Sequence, residues 1–178
     1  MGLEGSWNSS GLLIRPAEPP DALAVAGVHV RAWRAAYRGL MPEAYLNGMR
    51  PEDRAVKYHF AATDPQKPQT LLAIELRTIV GFVTTAPTRD AELGDLGEVC
   101  ALYVDPVFWG RGFGAALISA ACTRLVEQGY RRACLWVLEG NERADRFYRK
   151  GGWLPDGHRR TDTVWDIKVN ELRYRRDL

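Results

Sequence analysis

The stretch FWGRGFGAAL (Phe108–Leu117) holds three glycines at alternate positions, Gly110, Gly112 and Gly114, directly ahead of an alanine-rich segment. Glycines so placed let backbone N–H groups come close to a negative group, and a helix starting there adds the positive end of its dipole. The chemistry they suit is phosphate binding. A P-loop is excluded, because no lysine follows the glycines and that motif requires G-x-x-x-x-G-K-[S/T]. A dinucleotide fingerprint is matched in its letters by Gly110-x-Gly112-x-x-Ala115, with Glu139 about where a ribose-binding acid belongs. Two facts count against it. Five residues, Asp105 to Trp109, separate the preceding apolar run from Gly110, where that motif wants a tight turn, and only 39 residues follow Glu139, too few for the rest of a doubly wound sheet.

Other residues with chemical potential are sparse. Glu98 is a carboxylate inside the otherwise apolar run GEVCALYV, and a charge there needs a reason. The three histidines, His29, His59 and His158, are isolated and lack metal-ligand spacing, so no metal is expected. The three cysteines, Cys100, Cys122 and Cys134, are odd in number and show no C-x-x-C spacing; they read as free thiols in a reducing compartment, the cytoplasm. A net charge of +2 gives no field that argues for nucleic acid or a membrane surface, and no apolar run reaches spanning length. Met1-Gly2 and Asn8-Ser9-Ser10 match loose lipidation and glycosylation patterns without supporting signals. Residues 1–11 are expected to be a disordered tail and 12–178 a single domain.

The elements that must position these residues follow from periodicity. Residues 12–21, LLIRPAEPPD, read as a short strand ended by prolines, with Asp21 placed to cap a helix over 22–38. Helical pieces are expected over 41–49 and 51–62, then a loop at 63–69. Residues 70–76 and 78–86 flank Arg77 as a tight antiparallel hairpin, and 96–104 is a central strand. The helix after the glycines runs from Gly112 to Gln128, with Phe113, Leu117, Ala121 and Leu125 spaced by four. A buried strand over 133–138, a helix over 142–150 capped by Asn141, and a last strand over 164–173 complete the chain. The unit 96–138 should be a right-handed parallel crossover, and the hairpin makes the sheet mixed, so the class is α/β.

Two longer stretches carry a resemblance. ALYVDPVFWGRGFGAAL (101–117) is similar to the acyl-CoA signature of the GNAT family of N-acetyltransferases: an apolar strand, V-x-P, then Q/R-x-x-G-x-G/A and a helix. Downstream, VLEGNERADRFYRKGGW (137–153) resembles that family's N-x-x-A-x-x-x-Y-x-x-x-G-F element, with Trp153 for the phenylalanine. The resemblance implies a mostly antiparallel mixed sheet whose one parallel pair splays around the cofactor, flanked by helices. It implies acetyl-CoA as co-substrate, no metal, and direct acetyl transfer to a primary amine of a small-molecule or peptide acceptor, with a homodimer left open.

By the same resemblance, Leu102, Tyr103 and Val104 offer main-chain bonds to the pantetheine arm, and Asn141 bonds its far side. The backbone of Gly110, Arg111, Gly112, Phe113, Gly114 and Ala115 holds the diphosphate, with Arg111 adding charge. Tyr148 is the expected general acid toward the leaving thiolate. Glu98 lies six residues before Val104, the offset at which histone-acetylating relatives carry a base. Trp33 and Tyr37 belong to the acceptor side. One departure is Trp109, which stands at the family's Gln/Arg position. A non-catalytic acyl-CoA sensor would keep residues 110–115 functional and leave Glu98 and Tyr148 dispensable.

Overall fold

The computed structural model describes residues 6–7, 11–61, 64, 66–88 and 96–178. The chain order is β1 (Ser6–Trp7), β2 (Leu12–Pro16), α1 (Ala22–Ala36), α2 (Glu43–Gly48), α3 (Pro51–Ala55), β3 (Gln69–Glu75), β4 (Thr78–Pro87), β5 (Gly97–Val104), α4 (Phe113–Glu127), β6 (Arg132–Leu138), α5 (Glu142–Lys150), β7 (Leu154–Val164) and β8 (Ile167–Asp177). Among the described residues the strands form one sheet in the order β1-β2-β3-β4-β5-β6-β8-β7. Among the described strands only β5 and β6 pair in parallel. The mixed, mostly antiparallel architecture expected from the sequence is the one observed.

The crossover helix α4 buries the stripe read from its spacing. Phe113, Leu117, Ala121 and Leu125 pack with Val83, Val99 and Leu135 on one face of the sheet. Leu117 and Leu125 are fully buried, each contributing roughly 1.5–3 kcal/mol of transfer free energy. On the other face α1 lays Val25 and Val28 against Leu72 and Phe82. The β3–β4 turn is where Arg77 suggested it: Leu76 and Arg77 both have positive φ, 47° and 68°, the conformation a two-residue hairpin requires.

Several boundaries differ from expectation. The piece predicted as helical over 51–62 is helical only over Pro51–Ala55, and the 41–49 piece only over Glu43–Gly48. The predicted strand 164–173 is one arm of a long hairpin, β7–β8, turning at Trp165-Asp166 with φ of 52° and 69°. Strand β7, LPDGHRRTDTV, is an edge strand exposed along most of its length, so it has no apolar alternation to announce it. Of residues 1–11, Ser6 and Trp7 pair antiparallel with Ile14 and Leu13. Met1–Gly5 and Asn8–Ser10, with the lipidation and glycosylation matches, lie outside the described residues.

Candidate active site

A single irregularity creates the site. Strand β5 stays in parallel register with β6 only over Gly97–Ala133, Glu98–Cys134 and Val99–Leu135. Immediately after, its register with β4 moves from Val99–Thr85 to Ala101–Thr84, so Cys100 is the extra residue of a β-bulge. A bulge bends and twists the strand that carries it. From there β5 follows β4 to Val104 while β6 follows β8 to Leu138. The two strands splay, and backbone groups of 101–104 and 136–138 face a gap in the middle of the sheet. Leu102 and Tyr103 are half-buried, at the lip of that gap.

The glycine loop closes one end of the gap. Gly110 and Gly112 have φ of 76° and 86°, and open space surrounds the position of a side chain on either. An L-residue there is strained whatever room it has. Gly112 is the N-cap of α4, and the first helical bond runs from the Ala116 N–H to the Gly112 carbonyl. The N–H groups of Phe113, Gly114 and Ala115 precede that bond at the positive end of a fifteen-residue helix, which makes an anion site.

Two side chains of this loop act differently from expectation. Arg111 does not supply free charge to the loop: its Nη2 is 2.6 Å from Glu75 Oε1, and its guanidinium lies over the rings of Phe108 and Phe113. Trp109 donates from Nε1 to the Val104 carbonyl at 2.8 Å, pinning the loop to the end of β5. Arg143 of α5 stacks on the Trp109 ring at 3.6 Å. Trp109 thus carries a cation from another element beside the loop, a pairing that no local motif in the sequence revealed.

Asn141 caps α5, its Oδ1 accepting from the Ala144 N–H at 3.1 Å. That helix carries Tyr148, buried among Phe147, Trp153 and Tyr174. Burial, with the Tyr103 hydroxyl nearby, holds the Tyr148 phenol well above the usual tyrosine range. Across the gap, Tyr37 of α1 and Tyr103 of β5 face each other. Burial raises both phenols; Tyr103 and Tyr148 add to the rise at Tyr37, and Glu171 of β8 adds to it at both. Trp33 packs edge-on against Tyr37 at 5.0 Å, and its Nε1 approaches the Tyr103 hydroxyl without closing a bond of full geometry. Trp33, Tyr37, Tyr103 and Tyr148, singled out separately in the sequence, therefore converge on the gap.

The two carboxylates of this face differ in position. Glu98 lies opposite Cys134, on the closed side of the splay, and is 5% exposed. Burial and the Glu98 charge push the Cys134 thiol up to about 11, which rules it out as a nucleophile at neutral pH. Glu171 lies opposite Leu138, at the open end of β6, and accepts from Arg160 Nε at 2.8 Å. Sequence reasoning missed Glu171. The signal was its place two residues from the buried Val169 and Arg173, on the inward side of the last strand. Beside this open end lies a cleft of about 260 Å³ lined by Met41, Pro42, Leu138, Glu139, Ile167 and Val169.

His29, set aside earlier as an isolated histidine, stacks on Tyr103 at 5.3 Å, with Nδ1 2.6 Å from the Tyr58 hydroxyl. Burial first, then the Arg54 charge, push it down to about 3. A histidine that is neutral when folded but titrates near its ordinary value when unfolded binds protons preferentially in the unfolded state. Stability should therefore fall as pH drops from about 6.5 toward about 3, by on the order of 1.4 kcal/mol per pH unit at most. Urea unfolding between pH 7 and 4 should show this slope, and His29→Gln should flatten it. An unchanged slope in the variant would assign the acid sensitivity elsewhere.

Among the described residues no group of three or more His, Cys, Asp or Glu side chains could hold a metal ion, and no helix is long and apolar enough to cross a membrane. A sheet opened at one parallel pair, with a glycine loop leading into the crossover helix, defines an acyl-CoA-dependent acyltransferase. The profile of the Acetyltransferase (GNAT) family matches residues 30–153. The chain belongs to this family. The N-acetyltransferase YuaI of Bacillus subtilis is 29% identical to it over 135 residues, 72% of each protein. A GNAT N-acetyltransferase from Rhodopseudomonas palustris shares the fold at a TM-score of 0.74 and 23% identity, covering 98% of this chain and 100% of that one. The PaiA N-acetyltransferase of Thermoplasma acidophilum, solved in complex with coenzyme A, does so at 0.68 and 18%, covering 94% and 99%.

Proposed function

We propose that this enzyme transfers an acetyl group from acetyl-CoA directly to the primary amine of a small-molecule or peptide acceptor. The splay of β5 from β6 beside the helix-capping Gly112 carries this reading. The site's residues fit the cofactor: N–H groups of 113–115 for the diphosphate, Arg143 beside them, and the backbone of Leu102–Val104 with the Asn141 amide for the pantetheine arm. Acetyl-CoA supplies an activated thioester; in the reaction a C–S bond breaks and a C–N bond forms. A β5 N–H at the gap polarises the acetyl carbonyl as an oxyanion donor. Tyr148 donates its hydroxyl proton to the departing sulfur, and the second proton shed by the nitrogen as the amide forms restores the phenol.

The acceptor enters from the cleft beside Leu138, and a carboxylate takes the proton from its ammonium. Glu98 could do so only along the strand: five residues, roughly 16 Å of chain, separate it from Tyr103. Glu171 stands at the open end, close enough for its charge to act on the Tyr37 and Tyr103 hydroxyls. That proximity favours Glu171 as the base. A reducing cytoplasm suits the three free thiols, Cys100, Cys122 and Cys134.

The decisive experiment follows thiol release from acetyl-CoA across a panel of amines. Amine-dependent release supports transfer; coenzyme binding without release to any amine would leave a sensor. The loop is tested separately with Gly112→Ala. A Cβ at φ 86° should cost roughly 1–2 kcal/mol in stability and weaken coenzyme A binding measured by calorimetry. Unchanged affinity would detach the loop from the cofactor.

A further inference from the structure

The acceptor side of the site carries three buried side-chain nitrogens without a hydrogen bond of full geometry. Arg54 of α3 is 9% exposed, and His29 and Trp33 of α1 are each 1% exposed. Arg54 Nε and His29 Nε2 have no hydrogen-bond partner, and Trp33 Nε1, beside the Tyr103 hydroxyl, has none of full geometry. The Tyr58 hydroxyl and His29 Nδ1 share a hydrogen bond of 2.6 Å. Arg54 Nε and Trp33 Nε1 are donors, and His29 Nε2 joins them in the tautomer whose Nδ1 accepts from that hydroxyl.

The three belong to one cluster. His29 and Trp33 lie one turn apart on α1, with ring centroids 4.9 Å apart. Trp165, at the β7–β8 turn, sits 5.2 Å from the His29 ring and 4.4 Å from the Arg54 guanidinium. Arg54 Nη2 donates to the Tyr45 hydroxyl at 2.6 Å, and among the described residues no carboxylate stands within ion-pair distance of Arg54. A buried cation without an anion, flanked by further donors, is costly as it stands and complementary to a negative group.

We infer that the acceptor carries a carboxylate besides its amine, and that Arg54, with the N–H groups of His29 and Trp33, binds it. The inference rests on the acetyl-transfer reading and narrows it to amino-acid-like acceptors. Such a molecule is amphoteric, and the site matches it end to end. Glu171 and the phenols of Tyr37 and Tyr103 lie toward the gap, where the amine must reach the acetyl group. Arg54 lies at the other end of the cluster, 4.4 Å from the Trp165 ring against which His29 also packs.

The test compares amino acids from glycine to 6-aminohexanoate with their carboxamides, by thiol release from acetyl-CoA. At one chain length the wild-type kcat/KM should favour the carboxylate by at least about tenfold, the scale of a charge-assisted pair. Arg54→Gln should bring the carboxylate-to-carboxamide ratio of kcat/KM close to one, through KM for the carboxylate, and Arg54→Lys should keep part of the preference. Equal use of acid and amide at every length would overturn the inference, and this comparison needs no variant to fold. A parallel loss on both substrates in Arg54→Gln would overturn it too. A second readout does not depend on transfer: 5-aminopentanoate should raise the melting temperature of the coenzyme A-loaded wild type more than its carboxamide does. That difference, seen without thiol release, would support the carboxylate site while removing the transferase reading. Its absence at every chain length would count against the site.

Discussion

Tyr148→Phe should lower kcat by about 10²–10⁴-fold, the usual worth of a positioned general acid, while acetyl-CoA affinity stays near that of the wild type. The change deletes one hydroxyl and keeps the ring, whose packing against Phe147, Trp153 and Tyr174 holds the start of the last helix–strand junction. A fold defect should therefore be absent, and unchanged melting would confirm that the loss is chemical. With reference values near 10 for tyrosine and about 8.5 for a thiol, the transfer is uphill by roughly 2 kcal/mol in water. Burial moves the Tyr148 phenol further up, which disfavours bare tyrosinate and keeps the acid form loaded. The sign of the pH effect follows: a raised phenol stays protonated past its ordinary value, so kcat should show no falling limb from Tyr148 up to about pH 10. Single-turnover rates from pH 6 to 10 check both statements. A Tyr148→Phe enzyme at wild-type kcat would remove the tyrosine from the chemistry, whatever becomes of the cofactor assignment.

The parts of this site that sequence made legible are those written in local backbone grammar. The glycine loop, the four-residue stripe of α4, the Asn141 cap and the Leu76-Arg77 turn each depend on a few adjacent residues, and each is observed where it was expected. The parts that were not legible depend on register between distant strands. Nothing near Cys100 announces a bulge, yet that bulge coincides with the point where β5 leaves β6. Glu171 reads as a surface acid until the pairing of β8 with β6 sets it opposite Leu138. Arg143 reads as one more charge on a polar helix until α5 lays it on Trp109. Edge strand β7 escaped because an exposed strand need not alternate. Composition told little about the acceptor side, since His29 and Trp33 come from α1, Tyr45 from α2 and Arg54 from α3, and these residues meet only once the three helices pack beside Trp165.

The two carboxylates yield the second large effect. Glu171→Gln should lower kcat/KM for an aliphatic amine at pH 7 by about a hundredfold, within the range of general base catalysis. Such an amine, with a pKa of about 10.4, costs roughly 4.6 kcal/mol to deprotonate at pH 7, whereas an α-amine near 7.8 costs roughly 1.1. The defect should therefore be severe on the first and slight on the second. It should also shrink as pH rises, because free amine replaces the missing base; the variant's rate should climb toward the wild-type value near pH 10. Glu98→Gln removes a charge on the closed side of the splay, beside Cys134. Its effect should be on stability or on kcat at all pH values alike, without a slope that depends on the amine. Arg160 must be watched in this comparison, because Glu171→Gln also releases its guanidinium, which stacks on Trp136 at 4.1 Å. Arg160→Met, which leaves Glu171 charged, controls for that: it should not reproduce the amine-dependent slope. If Glu98→Gln shows that slope and Glu171→Gln does not, the base is Glu98, reached along the strand through water. If neither does, the acceptor arrives as free amine and no carboxylate is needed.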